Sequence, residues 1–115
     1  MNGQLQNWLK IVANKKAYKD ALKETILSLH GYRSSFMRTE HVHETFQGKT
    51  VWDGDVEVFR LRDHPKAKRA YAWAHLDGPN DDQTRFVVVL EIPPVKNSRT
   101  AVQASIMADS KTPQS

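Results

Sequence analysis

Leu5, Trp8, Leu9 and Val12 fall at i, i+3, i+4 and i+7, so the apolar pattern opens with a short amphipathic helix. Tyr18, Leu22, Thr25, Ile26 and Leu29 continue at helical spacing. Lys15, Lys16, Lys19 and Lys23 lie beside that stripe, as on a helix that rests on a sheet with one edge in water. Asn14 is either an N-cap between two helices or a mild kink in one long helix. Gly31 stands where a left-handed residue would end the helix.

From Phe36 the spacing changes to two. FMRTEHVHETF and KTVWDGDVEVF flank Gln47-Gly48, a hairpin in which glycine takes positive φ at no steric cost. With a two-residue turn, Phe46 pairs with Lys49, His43 with Trp52 and His41 with Gly54. Both histidines then share a face with Met37, Thr39, Val56 and Val58. This register sorts apolar from polar residues best and makes the histidine face the core face. A three-residue turn would instead pair His43 with Asp53 and His41 with Asp55, an orientation suited to general base chemistry. Phe59 and Leu61 fall on the charged face, which predicts a bulge or a sheet end covered by another element.

RDHPK (residues 62–66) is a turn. Lys68 to Leu76 reads as a third strand, with Tyr71, Trp73 and His75 on one side and Ala70, Ala72, Ala74 and Leu76 on the other. The small residues invite a packed helix, and the aromatics would line a groove or cover a subunit interface. After the loop DGPNDDQ, Arg85 to Ile92 is apolar on both sides, which predicts a central strand covered twice. Thr100 to Ala108 reads as a last strand with Val102, Ala104 and Ile106 inward.

The links are too short for parallel crossovers. The expected fold is therefore α+β: an N-terminal helix (or two) packed on a curved five-stranded antiparallel sheet. In element order this is similar to cystatin-like and NTF2-like folds. Residues 1–109 are expected to form a single domain, with 110–115 as a flexible tail.

Composition narrows the function classes. The chain has 115 residues, enough for one small core, and no cysteine, which removes disulfides and thiolate metal sites. The apolar stretch near the N-terminus is too short and too interrupted for a signal-peptide core or a membrane span, so a cytoplasmic protein without a membrane partner is expected. A net charge of +4 permits an anionic partner. Asp53, Asp55, Glu57, Asp77, Asp81 and Asp82 would repel phosphate, and nucleic acid is not the expected partner.

His41-Val42-His43 sets two imidazoles about 7 Å apart on one strand face. They could share a metal only with a third ligand such as His75, Glu44 or Asp53, so no metal and no cofactor is expected. Gly54 leaves a gap that His41, His43, Trp52, Tyr71, Trp73 and His75 could line, giving apolar walls with polar tips. A small-molecule-binding role follows. Ser34, Ser35 and Ser105 lie in no nucleophile context, and no enzymatic activity is assigned. The alternatives are a protein- or nucleic-acid-interaction module without a pocket, and an acid/base lyase or isomerase using His and Asp. Two-sided apolar strands in so small a chain suggest a homodimer.

The run VWDGDVEVFRLRDHPKAKRAYAWAH, followed by RFVVVLEIPPVKNSRTAVQASI, resembles a group of small uncharacterised bacterial proteins of integron-type mobile gene cassettes. The resemblance covers the chain from the hairpin onward and is carried by WDG (52–54), AYAW (70–73) and PPV (93–95). None of these is a catalytic signature. The resemblance implies an often oligomeric α+β protein and assigns no residue a role.

Overall fold

The computed structural model describes residues 15–77, 80 and 83–111. The helix expected over residues 5–12, the candidate cap Asn14, part of the 77–83 loop and the last four residues of the expected tail lie outside the described residues.

Helix α1 spans Lys15–His30 and buries Leu22 and Ile26 completely, one turn apart on the face toward the sheet. Gly31 ends it at φ 79°, and its N–H donates to the Leu27 carbonyl at 2.8 Å. Four strands follow: β1 (Ser34–Phe46), β2 (Lys49–Leu61), β3 (Arg69–Asp77) and β4 (Gln83–Leu90). They form an antiparallel meander in the order β1-β2-β3-β4. The alanines of β3 admit α1 closely: Leu22 and Ile26 pack with Ala70, Ala72, Phe59 and Leu61, and the Ala74 N–H donates to the Tyr18 hydroxyl at 3.0 Å.

The expected fifth strand is a helix. Helix α2 spans Ser98–Lys111 and covers the sheet face opposite α1. Its start is a reciprocal cap: Asn97 Oδ1 accepts the Thr100 N–H at 2.8 Å, and Thr100 Oγ1 accepts the Asn97 N–H at 3.0 Å. Ala101 and Val102 are fully buried against Val56, Val58, Tyr71 and Trp73. The alternation Val102, Ala104, Ile106 imitates a strand, whereas the buried pair at adjacent positions belongs to a helical face.

The expectation of an N-terminal helix (or two) on a curved five-stranded antiparallel sheet, cystatin- or NTF2-like in element order, is thus overturned. The sheet has four strands, is open and not strongly curled, and lies between two helices. Strand β4 is covered on both faces, but it is an edge strand and not a central one.

The hairpin combines both sequence alternatives. Gln47 (φ 52°) and Gly48 (φ 77°) form a two-residue turn, and Phe46 pairs with Lys49. Val51 then bulges from β2, and from Trp52 onward the register is one step over: His43 faces Asp53 and His41 faces Asp55. A second bulge at Met37 restores the original register at Phe36–Phe59. Both bulged side chains are exposed. Consequently the histidines do not share a face with Val56 and Val58, and they lie on the α1 side beyond the core that covers Phe59 and Leu61. Val42, Val56 and Val58 bury themselves beneath α2, while the histidines share the other face with Asp53 and Asp55.

Candidate functional site

The six residues singled out in the sequence are divided between the two faces. His41 and His43 lie on the α1 side, beyond its covered area, with side chains about half exposed or more. His41 is bracketed by carboxylates: Nε2 lies 2.6 Å from Asp53 Oδ1, and Nδ1 lies 2.9 Å from Asp55 Oδ1. The Asp55 hydrogen bond raises the His41 pKa; desolvation opposes it, and the nearby Asp53 charge adds to the rise. Both ring nitrogens donate in that arrangement, so the cluster favours imidazolium and presents no basic lone pair to a substrate. His43 Nδ1 stands 3.6 Å from Asp53, and its Nε2 is 3.4 Å from the Thr50 hydroxyl.

Between the start of α1 and this hairpin lies an open cleft of about 390 Å³. Its floor carries Glu57, only 5% exposed, whose Oε1 accepts the Thr39 hydroxyl at 2.6 Å. Tyr18 stands beside it; burial, with help from the Glu57 and Asp55 charges, pushes its hydroxyl up to about 12. Lys15 and Lys19 rim the cleft. Sequence reasoning missed Tyr18 and Glu57, because only the second helical stripe and the bulged register bring them together.

Trp52, Tyr71, Trp73 and His75 belong to the α2 side. Tyr71 and Trp73 are buried core residues beneath that helix, and Trp52 meets Trp73 edge to face at 5.5 Å. The gap at Gly54 is filled by Trp52, whose ring lies 3.2 Å from where a Cβ would stand. The Tyr71 hydroxyl donates to Glu91 at 2.5 Å; burial and this hydrogen bond push it up to about 12. His75 Nε2 accepts from Arg85 Nε at 3.0 Å. The sheet therefore separates these aromatics from His41 and His43. Among the described residues no group of three or more His, Asp or Glu side chains is placed to hold a metal ion.

The remaining feature is the outer edge of β4. A groove of about 630 Å³ runs along it, walled by the end of α1 at Leu29 and by α2 at Ala104 and Ala108. Leu29 is 62% exposed and Ile92 39% exposed at its rim, and Phe86 to Leu90 are only half-buried. Among the described residues no strand pairs with this edge. Glu91 N–H donates to Arg69 O at 2.9 Å, continuing the β3 ladder, so the odd-numbered residues of β4 bond inward. By alternation, the backbone N–H and C=O groups of Phe86 and Val88 and the N–H of Leu90 point outward, while the Leu90 carbonyl accepts the Ile92 N–H at 2.8 Å.

The opposite edge of the sheet is guarded. Strand β1 carries a bulge at Met37 and a run of charged side chains, and α2 is tied to it there. Ser98 donates to Glu40, Arg99 Nε lies 3.1 Å from Glu44, and Gln103 Nε2 donates to Glu44 at 2.7 Å. Among the described residues no bulge and no helix tie of this kind stands on β4.

No family model matches the chain, and no curated protein or solved structure matches it. No helix among the described residues is long and apolar enough to cross a membrane. The fold is an α+β sandwich of a four-stranded antiparallel sheet between two helices, and its functional reading rests on these side chains and edges.

Proposed function

We propose that this protein is an interaction module that binds an extended polypeptide segment by adding it as a strand to the open edge of β4. The observation that carries this reading is the outward backbone of Phe86 and Val88 and the outward N–H of Leu90, on an edge that is apolar on both faces and with which no other strand pairs among the described residues. Main-chain hydrogen bonds would supply affinity, and the half-buried side chains on alternate faces would supply selectivity. Long, flat, apolar edges recruit strands unless charge, proline or a bulge prevents it. The test is fluorescence anisotropy with a labelled peptide of sequence RFVVVLE against the full chain. Saturable binding is expected, and Val88→Pro, which removes one outward N–H at a position that edge strands tolerate, should weaken it about tenfold or more. No binding, or binding indifferent to Val88→Pro, would sink the reading.

A second reading is supported by the buried Glu57 in the α1–hairpin cleft. A carboxylate that accepts one hydroxyl hydrogen bond at the floor of an open cleft suits the ammonium group of a small amine-bearing molecule. A thermal-shift screen of primary amines tests it, because a ligand of the native state raises the melting temperature by mass action. A hit that survives Glu57→Gln unchanged would place the ligand elsewhere.

A further inference from the structure

We infer that the segment taken up by β4 is the β4 of a second copy of this chain, paired antiparallel about a two-fold axis at Val88 to give a continuous eight-stranded sheet. This rests on the strand-addition reading and names its partner.

Two independent features select the register. The first is backbone phase. Along β4 the outward hydrogen-bonding groups belong to the even-numbered residues Thr84, Phe86, Val88 and Leu90, of which the Leu90 carbonyl also accepts the Ile92 N–H, so the paired residues across the axis must be even with even. The second is charge. The sequence RFVVVLE is pseudo-symmetric about Val88, with Arg85 three places before it and Glu91 three places after. Pairing Val88 with its own copy puts Phe86 opposite Leu90, Val87 opposite Val89, and Arg85 opposite Glu91 of the other protomer. A slide of two residues either way keeps the backbone phase, but it sets Arg85 against Val89 or Pro93 and leaves Glu91 without a cation across the axis. The backbone permits a family of registers, and the charges choose one of them.

The side chains agree with that choice. Arg85 and Glu91 lie on the same face as Tyr71 and His75, to which they are bonded. They fall in a non-hydrogen-bonded pair of the new ladder, where opposite side chains come closest. On the other face Phe86, Val88 and Leu90 would meet their copies and cover the apolar floor of the groove. A two-fold interface is self-complementary, so each such contact is made twice.

Sedimentation velocity on the full chain tests the inference across a concentration series. A dimer is expected for the natural sequence. Arg85→Glu should raise its dissociation constant about tenfold or more, since two like-charge pairs replace two ion pairs. Arg85→Glu combined with Glu91→Arg should restore it, a rescue that a merely structural role for either residue would not produce. Val88→Pro should also dissociate the dimer, with circular dichroism confirming that the variant is folded. A natural chain that stays monomeric at high micromolar concentration overturns the inference; if it still binds the RFVVVLE peptide, strand addition by another partner stands. A dimer unaffected by both Val88→Pro and Arg85→Glu places the interface elsewhere and overturns both readings.

Discussion

The hydroxyl of Ser98, the first residue of α2, donates a hydrogen bond to the carboxylate of Glu40 in β1. The bond ties the helix start to the guarded edge of the sheet. It also holds the Glu40 carboxyl below its usual range, with Arg38 Nε at 2.7 Å adding to the effect. A depressed carboxyl contributes stability that is present above its unfolded pKa, about 4.3, and is lost as pH falls through the lower folded value. Ser98→Ala should raise the Glu40 pKa and move the acid-unfolding midpoint to higher pH. A carbon-13 titration that shows Glu40 unmoved in the variant would refute the link.

His41 should titrate above a free imidazole, because the hydrogen bond to Asp55 and then the charge of Asp53 favour its cation. The sign is opposite to that of Glu40. The contribution is fully present below about pH 6.5 and is lost as pH rises through the raised folded value. Asp55→Asn should lower the His41 pKa in a proton–nitrogen NMR titration. The melting temperature should change little, since the ring is exposed to screening solvent.

Trp73 is 2% exposed and stands at the centre of the core beneath α2. Trp73→Ala should cost about 3–5 kcal/mol in chemical denaturation, the usual range for removing a buried aromatic. A loss below about 1 kcal/mol would mean that α2 does not seal this face in solution.

Gly54 is the floor on which Trp52 lies. Gly54→Ala asks the half-buried indole to give by a few tenths of an ångström. Gly54→Val should displace it, at a cost of about 1–3 kcal/mol from overpacking. The accompanying sign is a red shift of tryptophan emission as the indole leaves the Trp73 ring. Unchanged emission in Gly54→Val would show that the ring does not rest there.

Much of the local structure was legible in the chain. The stripe Leu22–Ile26, the left-handed Gly31, the turn at Gln47-Gly48 and the alanine face of β3 each follow from residue types at short spacing. The start of α2 was legible too, in Asn97 and Thr100 three residues apart. It was obscured because the alternation Val102, Ala104, Ile106 satisfies the strand period equally well. The charges of Arg85 and Glu91 about Val88 were also visible, but they gain meaning only once β4 is known to be an edge.

What the chain alone determined was which segments are helix, turn and strand wherever one periodicity dominates, and that the protein is α+β with an antiparallel sheet. The side on which each strand's residues face was decided by tertiary structure. Two single-residue bulges, at Val51 and Met37, invert the face of everything between them; Phe59 and Leu61 on the charged face pointed to a bulge or a covered end, but the alternation does not say at which residue a bulge falls. Strand order was decided in the same way. A run apolar on both faces records that two helices cover it, and that condition holds as well for the last strand of a sheet as for a central one. Burial of a face is written into side-chain polarity. Exposure of an edge belongs to the backbone, which is the same in every residue but proline.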